Sequence, residues 1–317
     1  MKVKSVLVTG GAGFIGSHLI DQLLLEGLKV VGLDNFELGR PENLAHLTKN
    51  PNFQFRELDI LDRKKLRRLF ASQPFDAVFH LAANSDIARG GADTERDLRL
   101  TFLTTFEVLD AMRENGVNQI VFASSSAVYG DRDDELGENS GPLHPVSFYG
   151  AGKMAAEAYI SAYAHNFGIQ ARICRFPNVV GERATHGVVF DFVNRLRSDP
   201  SCLRILGDGR QQKPYLYVRD LAEAILFIWK KTTLSLDCFN IGVPGATTVT
   251  KIAEIVVEEM GLGSVKFDYT GGDRGWVGDV PRFRYDTTRL SSLGWNAPRD
   301  SDASVRMAVQ KILNQPI

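Results

Sequence analysis

Short apolar runs alternate with helical stripes along the first two thirds of the chain. Val3–Thr9 reads V-K-S-V-L-V-T, a β-branched run ending in glycines, which suits a buried strand. From Phe14 to Glu26 apolar residues recur at helical spacing through Ile15, Leu19 and Leu23, and Gly27 closes the helix. Lys29–Leu33 is strand-like again. The rhythm then repeats: a strand at Phe53–Phe55, a helix at Arg63–Phe70, a strand at Ala77–His80, a long helix near Thr94–Glu114 and a strand at Gln119–Ala123. A further helix runs from Tyr149 to Phe167, followed by a strand at Ala171–Arg175. Strands alternating with helices imply right-handed crossovers and a parallel sheet covered on both faces.

From Pro177 the pattern loosens. Gly181, Gly187, Gly207, Gly209 and Pro214 punctuate a loop-rich stretch around one helix, Val188–Arg197. Leu216–Val218 and Phe239–Ile241 read as a return to the sheet, with a helix from Asp220 to Lys230 between them. Val249–Met260 and Ser304–Leu313 are later helices around the irregular region Gly271–Asp279. The plan is a larger domain of 1–176 with 215–241, and a smaller one of 177–214 with 242–317 interleaved with it. A cleft is expected where they meet.

Composition narrows the function classes. The chain has 317 residues, 44% apolar and 24% charged, the balance of a soluble globule. Its 37 basic against 38 acidic residues leave a net charge of −1, so a general nucleic-acid binder is disfavoured. Cys174, Cys202 and Cys238 lie far apart, which speaks against a disulfide framework or a structural zinc and suits the cytoplasm. No run approaches the roughly 18 apolar residues of a membrane span, and the N-terminal apolar run is too short for a signal peptide.

Candidate chemistry begins at the first turn, T-G-G-A-G-F-I-G, which sets Gly10, Gly13 and Gly16 in G-x-x-G-x-x-G spacing. Such a turn lets a pyrophosphate approach the backbone and meet the positive end of the following helix. Asp34 stands 18 residues beyond Gly16 at the end of the second strand, where a carboxylate accepts from ribose hydroxyls and repels a 2′-phosphate. NAD is therefore favoured over NADP. The fifth strand ends in Ser124-Ser125-Ser126, and Tyr149 and Lys153, at i and i+4, share one helical face. The nearby ammonium, together with a cationic nicotinamide, is expected to lower the phenol toward neutrality and make Tyr149 a general base. His80 ends a strand and reads as a local packing residue.

At these residues the chain resembles the extended short-chain dehydrogenase/reductase superfamily, and within it the NAD-dependent epimerase/dehydratase family, nearest to its UDP-glucose (UDP-galactose) 4-epimerases. The resemblance implies a Rossmann-type doubly wound α/β sheet with a smaller substrate domain. It implies NAD contacts from Gly10, Gly13, Phe14, Ile15, Gly16, Asp34, Asn35, Asp59, Ile60, Leu81, Ala82, Ala83, Ser124, Tyr149 and Lys153. The catalytic set it implies is Tyr149, Lys153 and Ser125, the serine three positions before the valine of V-Y-G, with Ser124 and Ser126 beside it. R-F-P-N-V-V-G at Arg175–Gly181, L-G-D-G at Leu206–Gly209 and R-G-W-V-G-D-V at Arg274–Val280 resemble sugar-nucleotide segments. Ser125, Ser126, Asn178, Val188, Lys213, Tyr215, Arg274 and Asp279 are the implied substrate contacts. His186 is a neutral turn residue or a nucleotide contact, and Phe283 a pocket wall or core ring.

Departures from the family pattern carry information. The 4,6-dehydratases place an Asp-Glu pair after the catalytic hydroxyl, and the UDP-glucuronate decarboxylases a glutamate. Here Ser126 and Ala127 stand there. Lys213-Pro214 replaces the usual Arg-Asp, and Thr101 replaces a helical asparagine. Arg274 lies five residues before Asp279 rather than three. The expected function is a UDP-hexose 4-epimerase acting as a homodimer. The rivals are a net sugar or alcohol dehydrogenase, a nucleotide-sugar dehydratase, and a non-catalytic NAD sensor.

Overall fold

The computed structural model describes residues 5–132, 134–275 and 278–315. Val3 and Lys4 of the first expected strand lie outside the described residues, as do Trp276 and Val277 of the last family-like segment. Two compact units emerge: residues up to Gly130, Leu143–Arg175 and Ala222–Phe239 form one, and Asp131–Pro142, Phe176–Leu221 and the chain from Asn240 onward form the other. Residues 131–142, left with the first domain by the sequence reading, pack with the second unit.

The first unit is built on strands β1 (Ser5–Thr9), β2 (Lys29–Asp34), β3 (Phe53–Glu57), β4 (Ala77–His80), β5 (Gln119–Ser125) and β6 (Gln170–Phe176). Helix α1 (Phe14–Leu25) follows β1, and α2 (Arg63–Ser72) follows β3. Between β4 and β5 come α3 (Ile87–Ala92), α4 (Thr94–Asp97) and α5 (Thr104–Glu114), and α6 (Phe148–Phe167) leads into β6. Nearly every sheet residue of β1, β4 and β5 is buried, which is why these strands read as continuous apolar runs. One layer of the core joins Leu7, Val31, Val78 and Ile120 to Leu109 and Met112 of α5 and Ile160 of α6.

Local chemistry sets the helix ends. Asp62 caps α2 through the Lys65 N–H at 3.1 Å, and Ser147 caps α6 through the Gly150 N–H at 3.1 Å. Gly168, at φ +70°, ends α6 in the left-handed conformation that glycine tolerates. The long helix expected at Thr94–Glu114 is interrupted: Leu98–Leu103 winds as a π segment between α4 and α5. Apolar spacing does not reveal such a widened turn, which tends to mark functional positions.

In the second unit, β7 (Asn178–Val180), α7 (Val188–Ser198), β8 (Cys202–Ile205), β9 (Gln212–Lys213) and β10 (Tyr215–Tyr217) precede α8 (Val218–Lys231), which runs back into the first unit. β11 (Leu236–Asn240), β12 (Thr247–Thr248), α9 (Val249–Glu259), β13 (Lys266–Tyr269), α10 (Thr288–Ser292) and α11 (Ser301–Leu313) follow. The sheet order is β3-β2-β1-β4-β5-β6-β11, a seven-stranded parallel Rossmann sheet whose order reverses between β1 and β4. One expectation fails. Leu216–Val218 does not rejoin this sheet: β10 pairs with β7 in a separate two-stranded sheet, and Val218 already begins α8. Three apolar residues suffice for a strand but do not name its partner.

Candidate active site

Ligands of open α/β sheets bind beyond the strand ends at the switch point, here the ends of β1 and β4. The chain leaves β1 through Gly10, at φ +69°, and a Cβ on Gly16 would stand 2.1 Å from the Gly10 carbonyl oxygen. Only glycine permits this close return of α1 onto the turn. Helix α1 carries no side-chain cap on Gly13 and no acidic residue in its first turn, so its leading N–H groups and positive end suit an anion. Phe14 and Ile15, the first residues of α1, are half-buried.

Asp34 is buried at the end of β2. One carboxylate oxygen accepts the Ala12 N–H at 3.0 Å and the other the Phe36 N–H at 2.9 Å. The carboxylate thus pins the glycine turn, and each oxygen keeps a further lone pair. Burial raises its pKa, against the lowering pull of these N–H groups. Asn35 accepts the Glu37 N–H at 3.1 Å. Asp59 is exposed and caps its own turn at the Leu61 N–H, whereas Ile60 belongs to the core. An uncapped helix end, a glycine cradle and a buried acceptor fit a dinucleotide.

On β4, His80 is wholly buried. The Thr105 hydroxyl gives its proton to the Thr101 carbonyl at 2.7 Å, so His80 Nε2 is the donor to Thr105 at 3.0 Å. Its Nδ1 then accepts from Thr9 Oγ1 at 2.7 Å. The ring is neutral with both nitrogens used, and burial, followed by the Lys153 charge, pushes its pKa down to about 3. It is a packing residue, as its strand position suggests. Thr9 Oγ1 also accepts from the Leu81 and Ala82 N–H groups at 3.2 and 3.3 Å, and Ala83 beyond them is half-buried.

Tyr149, Ser125 and Lys153 come together. Gly150 lets the start of α6 press on the Ser126–Val128 turn, since a Cβ there would lie 2.4 Å from the Ala127 carbonyl oxygen. This brings the Tyr149 phenol beside the Ser125 hydroxyl, which accepts the Ala127 N–H at 3.2 Å. Ser126 is half-buried on the same turn. Lys153 is buried one helical turn on. Its Nζ donates to the Ala123 carbonyl at 2.6 Å and lies 5.8 Å from the Tyr149 ring centroid. Burial pushes Lys153 down to about 7, opposed by Asp97 and Glu157.

In the protein alone the phenol is not lowered. Burial pushes Tyr149 up to about 12, with Ser125 lowering it and Asp97 raising it. The i, i+4 spacing places the ammonium on the same face, but it donates to a strand carbonyl, and desolvation is the largest influence on the phenol.

The sequence reading missed a buried polar network around this cluster. Ser124 is turned away from the turn surface, its hydroxyl donating to Glu157 at 2.5 Å. Glu157 takes a two-pronged hydrogen bond from Arg175 at 2.9 and 2.5 Å, and Arg175 reaches the Tyr129 hydroxyl at 3.0 Å. The signal was present: Tyr149, Lys153 and Glu157 recur every four residues on one helical face. Asp97, also missed, is buried and bonds Asn84 at 3.1 Å and Thr101 at 3.2 Å.

Within the second unit, Asn178 and Tyr215 sit opposite each other on β7 and β10. Lys213 forms a buried ion pair with Asp279, which also accepts the Gly275 N–H at 3.0 Å. Arg274 binds the Asp279 carbonyl at 3.1 Å and the Asp131 carboxylate at 2.7 Å. Both cations expected to face a diphosphate therefore already hold carboxylates. Val188 is the half-buried first residue of α7. His186 is exposed and bonds Thr185, and Phe283 packs edge-on against Tyr285 at 5.4 Å.

A family model described as the NAD dependent epimerase/dehydratase family matches residues 6–242. A crystal structure of a UDP-galactose 4-epimerase is 38% identical, with a TM-score of 0.86 over 97% of this chain and 98% of that one. The UDP-glucose 4-epimerase of Mycolicibacterium smegmatis is 32% identical over 91% of this chain and 92% of its own length. UDP-glucuronic acid decarboxylase 1 of Arabidopsis thaliana is 32% identical over 80% of this chain and 58% of its own. The match spans most of the chain, including the strand ends that shape the glycine turn and the tyrosine cluster, and this chain belongs to the NAD-dependent epimerase/dehydratase family.

Proposed function

We propose that this enzyme is a UDP-hexose 4-epimerase of the glucose/galactose type. The observation that carries the reading is Tyr149 beside Ser125 with Lys153 one turn on, next to a turn whose following residues are Ser126 and Ala127. That turn has a proton acceptor for a sugar hydroxyl and no carboxylate following it. Water elimination needs additional acid and base groups, and Ser126 and Ala127 cannot supply them.

Gly10, Gly13, Gly16 and Asp34 would hold NAD, which when bound supplies a reversible two-electron oxidation of a sugar carbon and a positive charge near the phenol. Tyr149, as phenolate, takes the proton of the C4 hydroxyl, and Ser125 shares that hydroxyl's hydrogen bond. Lys153 favours the phenolate by its charge. The sugar, oxidised at C4, would turn its opposite face, and the hydride taken from C4 would come back there as Tyr149 returns the proton to the C4 oxygen. Asn178, Tyr215, Lys213 and Arg274 are the groups suited to a nucleotide diphosphate, and Asp279 holds Lys213 in place. Binding there requires the phosphates to compete with Asp279 and Asp131 for the two cations.

A homodimer belongs to this reading. Leu98 is 50% exposed, Tyr159 44% and Phe167 55%, and the Phe102 and Phe106 rings pack edge-on against Tyr159 at 4.8 and 6.2 Å. An apolar face of this kind on α5, α6 and the π segment suits a second copy. The free cysteines and the absence, among the described residues, of a helix able to cross a membrane accord with a cytoplasmic site of action.

The purified protein is incubated with UDP-glucose, UDP-galactose, UDP-glucuronate and their N-acetyl forms, and products are resolved by anion exchange and NMR. The expected outcome is a 4-epimer without net NADH, reduced about 10²–10⁴-fold in Tyr149→Phe. Accumulating NADH, or a decarboxylated or dehydrated sugar, would overturn the reading.

A further inference from the structure

Asp97 is 1% exposed, at the junction of α4 and the π segment that packs along α6. Its Oδ1 is satisfied by Asn84 and Thr101, while its buried Oδ2 has no hydrogen-bond partner. A lone carboxylate oxygen in that position is costly unless a positive charge faces it. Burial accordingly raises its pKa, opposed by Asn84, Thr101 and then the Lys153 charge. The Lys153 helix is packed against it: a Cβ on Gly152, next to Lys153, would meet the Asp97 carbonyl oxygen at 3.2 Å and the Thr101 Cβ at 3.2 Å. Gly90 leaves the space for Oδ2, since a Cβ there would stand 2.0 Å from it.

The charges around Lys153 single this group out. From its own helix come Tyr149 and Glu157, from β4 the neutral His80, and from the α4–π junction Asp97. Glu157 is already neutralised by Arg175. The other cation acting on Asp97 is Arg96, whose guanidinium is held by Glu37 at 2.7 Å and Asn84 at 3.3 Å. Asp97 is thus the carboxylate left to balance the buried ammonium.

We propose that Asp97 is a positioning residue that keeps Lys153 protonated, and through Lys153 sets the pH range in which Tyr149 can act as base. The catalytic part of this rests on the reading of Tyr149 and Lys153 given above; the electrostatic part does not. Asp97 also acts directly on the phenol in the opposite sense, so its net benefit lies in the ammonium. Loss of its charge leaves Lys153 to the pull of burial, which favours the neutral amine.

The test titrates the NAD-loaded enzyme by NMR, with labelled lysine and aspartate. In Asp97→Asn the Lys153 midpoint falls by about one pH unit or more, while Asp97→Glu, which keeps the charge, holds it within about half a unit. Lys153→Met gives the reciprocal reading and raises the Asp97 carboxyl midpoint, so the proposal stays testable if Asp97→Asn fails to fold. In substrate turnover, the alkaline limb of kcat/KM moves to lower pH in Asp97→Asn by the same interval and returns in Asp97→Glu. Unmoved midpoints in both Asp97→Asn and Lys153→Met overturn the proposal, whether or not any UDP-sugar reacts. Moved midpoints with an unmoved alkaline limb in an active enzyme overturn its catalytic part. Inactivity of the wild type overturns the epimerase reading and leaves the midpoints to decide for Asp97.

Discussion

His80 and Lys153 are buried and Tyr149 beside them is half-buried, and burial acts on each by the same rule: it disfavours the charged form. The imidazole and the ammonium are pushed down, to about 3 and about 7, and the phenol up, to about 12. For His80 this has a stability consequence whose sign is definite. The folded ring protonates near 3 and the unfolded one near 6.5, so between those values the unfolded chain binds the extra proton. Stability should fall as pH drops from about 6.5 toward about 3, with a slope approaching 1.4 kcal/mol per pH unit from this group. Chemical denaturation across that range should show a shallower loss in His80→Gln, and an equal slope in both proteins would refute the assignment. The same scale explains why Ser124 and Ser125 diverge although they are neighbours in sequence. Alternation along β5 sends one hydroxyl to buried Glu157 and sets the other beside Tyr149.

Between elements, the decisive contacts are backbone on backbone. α6 delivers Tyr149 because Gly150 allows the Ala127 carbonyl within reach, and Gly152 allows the π segment to close against the same helix. Gly150→Ala should therefore act mainly on chemistry. The added methyl, 2.4 Å from a carbonyl oxygen, must push α6 from the Ser126–Val128 turn and lengthen the Ser125–Tyr149 contact. We expect a loss of about 1–3 kcal/mol in stability and of about 10²-fold or more in kcat. Thermal unfolding and steady-state kinetics check the two together; full activity would mean that the glycine does not set the tyrosine. The spacing Y-G-A-G-K is legible in the sequence, but the reason for its two glycines is not, because Ala127, Asp97 and Thr101 are brought opposite them only by folding.

For the molecule as a whole, the proposed dimer makes the broadest claim. Sedimentation of the wild type should give twice the monomer mass, and Tyr159→Glu, which places a charge on the exposed aromatic face, should weaken association by about 30-fold or more. A monomeric wild type would refute it. The sequence alone determined the alternation of strand and helix, the glycine turn with Asp34 behind it, and the shared face of Tyr149 and Lys153. Each of these follows from local periodicity or from a residue type that a local conformation demands. Tertiary structure decided the rest. It sent β10 to β7 rather than to the large sheet, widened the helix at Leu98–Leu103, and set Asp279 and Asp131 against the two expected phosphate cations. These outcomes depend on which distant groups share a desolvated space, and desolvation is a property of the packed molecule that no short stretch of chain carries.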